Sequence, residues 1–118
     1  MNEVLIKLKK LFIEKKYSEL IFLIENDIKD RSARLLNILA TSRITSKKNK
    51  ESFIQAISEF KQGYFQEKQS EIGLECLKNF INSVVDFYDY QGRFDSSDIF
   101  ESYFNECINF FKEAEIYF

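Results

Sequence analysis

A chain of 118 residues with 45% hydrophobic and 16% aromatic side chains is long and apolar enough for one packed domain, which excludes intrinsic disorder. It has no proline, three glycines and no histidine. That argues against a sheet of many tight turns and removes Ser-His or Cys-His nucleophile activation and every histidine metal site. The net charge of −2 hides an asymmetry, with 13 basic and 8 acidic residues through Lys61 and 4 basic and 11 acidic from Gln62 onward. Such polarity steers a charged ligand or a head-to-tail neighbour, unless both sets merely solvate outer helix faces.

The first segment, from about Glu3 to Lys15, sets Val4, Leu5, Leu8, Leu11 and Phe12 at helical spacing between lysines. Asn2 is its candidate N-cap, and Lys15 and Lys16 fall in the expected last turn. A second segment follows at once, from about Tyr17 to Lys29, with Leu20, Ile21, Leu23, Ile24 and Ile28. So short a break forces two amphipathic helices antiparallel. The lysines and Glu14 interrupt any secretory signal, and the longest apolar run, Leu20 to Ile24, is far below the roughly 20 residues of a membrane span.

A third segment, capped by Asp30 or Ser32, carries Leu35, Leu36, Leu39 and Ala40 as far as about Ile44. The turn TSKKNK precedes a fourth segment starting at Ser52, where Ser52 and Gln55 have capping-box spacing and Phe53, Ile54, Ala56, Ile57, Phe60 and Tyr64 face inward. The fifth segment, about Glu71 to Tyr90, has a stripe of Leu74, Leu77, Ile81, Val84, Val85 and Tyr88 widened by Phe80 and Phe87. Gly92 suits its C-terminal left-handed position, and Asp95, Ser96 and Ser97 are caps for a sixth segment, about Asp98 to Tyr117. The fold class is therefore all-α, one domain of three antiparallel helical hairpins at about 3–29, 33–65 and 71–117. Ending on Ile116-Tyr117-Phe118 is poor for solubility, so a longer natural chain is expected.

In the second hairpin Leu36, Leu39, Ala40, Ala56 and Phe60 form a large–large–small, small–large arrangement, in which small residues let the two helices touch and large ones fill the groove to the next hairpin. With Tyr17 opening the second helix of the first hairpin, this pattern over residues 3–90 resembles tetratricopeptide repeats. The sequence departs from the family pattern in several places. Arg43 stands in the slot of the helix-A tyrosine, the TSKKNK turn is too long, no repeat ends in proline, and Lys78 replaces the small residue after Leu77. A non-repeat helical bundle therefore competes.

The resemblance implies a short right-handed α-solenoid that binds a protein or peptide partner in a groove lined by the first helix of each hairpin. By position those residues are Arg34, Asn37 and Thr41 from the second hairpin and Glu75, Asn79 and Asn82 from the third, with Lys9 or Lys10 joining from the first. Arg34 with the asparagines would hold a peptide backbone or carboxylate, so reversing its charge should abolish partner binding without changing helicity. The resemblance also implies a module appended to a catalytic domain such as a glycosyltransferase.

No chemistry is expected within these residues. The three glycines are scattered, so there is no phosphate loop, and Asp86 and Asp89 share a helix face without polar companions. No cofactor is implied. Cys76 and Cys107 are too few and too far apart for a disulfide framework or zinc site, which fits a reducing cytoplasm. Lys47, Lys48 and Lys50, with Arg43 near, are the one cluster suited to nucleic acid, but they lack an exposed aromatic and face an acidic second half. Aromatic residues exceed what three hairpins need, so the aromatic-rich fifth and sixth segments are candidate self-association surfaces. The alternative function is a compact bundle acting as a regulator or inhibitor of viral or mobile-element type, its acidic face mimicking nucleic acid.

Overall fold

The computed structural model describes residues 3–91 and 99–115. Six α-helices make up the fold: α1 (Glu3–Ile13), α2 (Tyr17–Asp27), α3 (Ala33–Ser46), α4 (Lys50–Gln66), α5 (Glu71–Gln91) and α6 (Ile99–Glu115), with no strand among the described residues. The expected caps Asn2, Gly92, Asp95, Ser96 and Ser97 lie outside the described residues, as do Asp98 and the last three positions.

Local chemistry sets the helix ends. After Ile13 the chain turns through Lys15, whose φ of 60° is left-handed. The Lys16 amide reaches back to the Leu11 carbonyl at 2.9 Å and the Lys15 amide to Phe12 at 3.1 Å, the paired bonds of a Schellman motif. Lys15 and Lys16 therefore lie beyond the last turn of α1, contrary to the sequence expectation, because the motif consumes the carbonyls that a longer helix would use. Of the two expected caps for α3, Ser32 does the work, accepting the Leu35 amide. Helix α4 starts two residues earlier than the pattern suggests, since Asn49 Oδ1 takes the Ser52 amide at 2.8 Å and Ser52 is thereby inside the helix. With α3 running on to Ser46, only residues 47–49 connect the two helices, so the long turn inferred from TSKKNK is a three-residue connection. Ser70 caps α5 by accepting the Gly73 amide at 3.1 Å while its own hydroxyl donates to the Glu67 carbonyl. Gly73 is required here, because a Cβ would collide with that carbonyl.

Consecutive helices pack on one another, and the side-chain pairs fix their directions. Arg43 meets Glu59 and Gln66 meets the Arg31 carbonyl, so α3 and α4 are antiparallel. Phe87 against Phe100 and Phe80 against Phe110 make α5 and α6 antiparallel. Alternate helices run the same way: Ala33 meets Cys76 and Asn37 meets Asn79 between α3 and α5, while Lys61 meets Glu106 and Tyr64 meets Glu113 between α4 and α6.

Two apolar clusters share α3. Leu8, Leu11, Leu20 and Ile24 of the first hairpin close on Leu39, and the larger cluster joins Ala33, Ala40, Phe53, Ala56 and Tyr64 to Phe80, Phe87 and Phe100. Ala40 and Ala56 are both fully buried, and α4 and α5 approach closely at Gly63, where a Cβ would stand 2.6 Å from Cys76 Sγ. The buried line of α5 is Cys76, Phe80, Val84 and Phe87. Val85 and Tyr88, expected in the inward stripe, are 45% and 38% exposed. The stacking of Phe53 on Phe87 at 5.1 Å turns α5 toward α4, leaving Val85 at the surface and Tyr88 edge-on against Phe100 and Phe104 of α6.

Candidate functional site

Two polar constellations cross between helices. The first is ionic. Arg43 donates from Nε and Nη2 to the two carboxylate oxygens of Glu59 at 2.8 and 2.9 Å, and Nη2 also reaches Glu25 at 3.3 Å. One guanidinium thus ties α2, α3 and α4 together. Arg43 and Glu59 are both buried, whereas Glu25 is half open to solvent. Burial pushes the Glu59 carboxyl above its ordinary range against the pull of Arg43, while the facing carboxylates hold Arg43 charged in spite of its burial. The departure at Arg43 therefore has its own partners, and this residue cannot join the basic turn. Lys47, Lys48 and Lys50 are exposed, and without the guanidinium they form a smaller cationic patch than the sequence suggested. Arg43 was legible as an anomaly in α3, but Glu59 and Glu25 were not, because their spacings of 16 and 18 residues carry no local signal.

The second constellation joins two of the expected groove residues. Asn79 Nδ2 donates to Asn37 Oδ1 at 2.8 Å across the parallel α3–α5 contact. The pair leaves the Asn37 amide donor and the Asn79 amide acceptor without a partner among the described residues, one hydrogen-bonding group of each kind side by side. Thr41, one turn on, is half-buried, and Glu75 is exposed on α5. Arg34, one turn before Asn37, makes no ion pair among the described residues and borders a hollow of ≈ 580 Å³. Leu5, Leu8, Ile28, Leu35 and Ile72 line its apolar part, and Asp27, Asp30 and Glu67 share the rim with Arg34. Three carboxylates against one guanidinium make the rim acidic, which disfavours the carboxylate ligand inferred for Arg34 from sequence. Asn82 stands apart from the others, on the wall of a different groove between α5 and α6. Lys9 and Lys10 are exposed on α1.

Among the described residues no group of His, Cys, Asp and Glu is arranged to hold a metal ion, and no helix is long and apolar enough to cross a membrane. Cys76 and Cys107 are free thiols, both pushed up to about 11, first by burial and then by Glu75 and Glu106 respectively. No protein-family model matches the chain, and neither a curated protein nor a solved structure matches it.

Proposed function

We propose that the chain is a non-catalytic peptide-binding module, its helices a short solenoid of hairpins in the manner of tetratricopeptide repeats. The Asn37–Asn79 pair carries this reading. An unused amide donor beside an unused amide acceptor, on two parallel helices, matches the C=O and N–H of a peptide backbone laid across them. The parallel running of α3 with α5 and of α4 with α6, and the three-residue link between α3 and α4, support the hairpin-repeat reading. The adjoining hollow supplies the selectivity: an apolar side chain fills it, a neighbouring lysine or arginine meets Asp27, Asp30 and Glu67, and Arg34 takes a backbone carbonyl. Such a module serves by bringing a partner to another activity, and a catalytic domain in the same protein, such as a glycosyltransferase, is one such setting.

Selection from a displayed random peptide library tests the reading. Enriched peptides should pair a large apolar residue with a basic one, and Asn37→Ala/Asn79→Ala should weaken the best of them at least tenfold with helicity unchanged. Arg34→Glu should weaken it as well. An unselected library, or peptides indifferent to all three substitutions, would remove the proposal.

A second reading, a compact bundle with an acidic nucleic-acid-mimicking face, draws on the charges of α5 and α6, which together hold eight acidic and two basic residues. Size does not separate the two. The radius of gyration of 14.7 Å and extents of 42 × 35 × 22 Å are close to the roughly 14 Å of a compact chain of this length, because three hairpins are too few to elongate. Mimicry requires competition with duplex DNA for a basic DNA-binding protein, lost when acids of α5 and α6 are neutralised.

A further inference from the structure

The two ends of the helix stack are unlike and complementary. At one end α1 packs mainly on α2 and turns Ile6 and Ile13 outward, 60% and 77% exposed. Seven residues apart, they lie on one line of the helix, with Lys9 and Lys10 between them on the same side. The free side of α1 is thus a ridge of two isoleucines and two lysines. Counting Lys7 and Glu3, the helix carries three bases against one acid.

At the other end a groove of ≈ 680 Å³ lies between α5 and α6, with walls of Leu74, Leu77, Ile81, Phe111 and Ala114. Val85, one turn on from Ile81, and Ile108, one turn before Phe111, continue the same helix faces, and both are roughly half exposed. Its own lining also holds Lys78, Asn82 and Glu115, so it carries one base and one acid, while the two helices around it are net acidic. Glu106 and Glu113 are taken by Lys61 and Lys68, and the rest of α5 and α6 leaves six acids against Lys78 and Lys112. The interior hairpin, α3–α4, receives α5, the first helix of the next hairpin, in the corresponding place.

We propose that copies of this chain associate head to tail, α1 of one copy seated in the α5–α6 groove of another. A basic apolar ridge meets an apolar groove set between two net-acidic helices, so hydrophobicity and the charge of the surrounding helices together favour the pairing. The two surfaces differ, so the contact is heterologous: each copy keeps one free ridge and one free groove, and assembly does not stop at a dimer unless a ring closes.

Light scattering on the full chain and two variants tests this. Ile6→Asp/Ile13→Asp spoils the ridge, and Ile108→Asp/Phe111→Asp spoils the groove. All four side chains are at least half exposed, so folding should survive, and circular dichroism checks it. The unaltered chain should rise in mass with concentration beyond twice its 14.1 kDa. Each variant alone should be monomeric, and their equimolar mixture should reach a dimer and stop, since one intact ridge and one intact groove remain. An unaltered chain that stays monomeric at millimolar concentration overturns the proposal. So does a ridge variant that still self-associates, which would indicate a symmetric contact through α5 and α6, or a mixture that stays monomeric.

Discussion

The middle of the molecule and its first helix use much the same amino acids to different effect. Helices α3 and α4 have a neighbour on each side, and Leu36, Leu39, Ala40, Ala56 and Ile57 are all at most 2% exposed. Helix α1 is as rich in leucine and isoleucine, yet it keeps only Leu8 and Leu11 buried and leaves Ile6 and Ile13 in solvent. Burial here is a property of position in the stack more than of the helix's own pattern. An interior helix converts most of its apolar surface into packing, with Phe65 of α4 the exception, while a terminal one converts a single stripe and offers the rest to whatever meets it.

The sharpest way to break this contrast is at the ionic tie. Glu59→Ala leaves the Arg43 guanidinium buried with only the half-exposed Glu25, and should cost about 3–5 kcal/mol in urea unfolding. Glu25→Ala removes only the exposed partner and should cost under about 1 kcal/mol. Replacing both members of the buried pair with apolar residues, Arg43→Met/Glu59→Leu, should recover most of the loss, because neither charge is then stranded.

Steric change comes next. Leucine at Ala40 or Ala56 should force the central helices apart and cost about 1–3 kcal/mol, whereas Ile6→Ala or Ile13→Ala should stay within about 0.5 kcal/mol. Equal losses at both places would dissolve the distinction between interior and end. At the α1–α2 turn, Lys15→Gly removes the penalty of a left-handed non-glycine residue and should raise stability by about 1 kcal/mol, read as a higher thermal midpoint.

The remaining effect appears only in alkali. Cys76 and Cys107 ionise near 9.0 when unfolded and near about 11 when folded, so the native state holds their protons longer. Their contribution is complete below about pH 9 and is lost as pH rises toward 11. Tyr103, pushed up by burial and Glu106, acts in the same direction. The urea midpoint should therefore decline across that window, less steeply in Cys76→Ala/Cys107→Ala. Native alkylation should reach Cys107 first, because Cys76 is fully enclosed.

Much of this molecule was determined by its sequence alone. Apolar spacing of three and four, the absence of proline and polar breaks at Ser32 and Lys47–Asn49 impose six helices, since those features act through backbone and side-chain preferences within a turn or two. The burial of Ala40 and Ala56 was within reach for the same reason, each being a matter of which helix face a residue occupies.

Tertiary packing decided the rest. The broad stripe of α5 turns inward on Phe87 rather than Val85, and Arg43 finds Glu59 and Glu25 across two helix interfaces. Asn82 is directed into the α5–α6 groove, away from Asn79. None of these follows from local pattern. A stripe wider than its contact surface leaves the rotation of a helix to its neighbours, and residues far apart in sequence pair only after loop closure has brought their helices together.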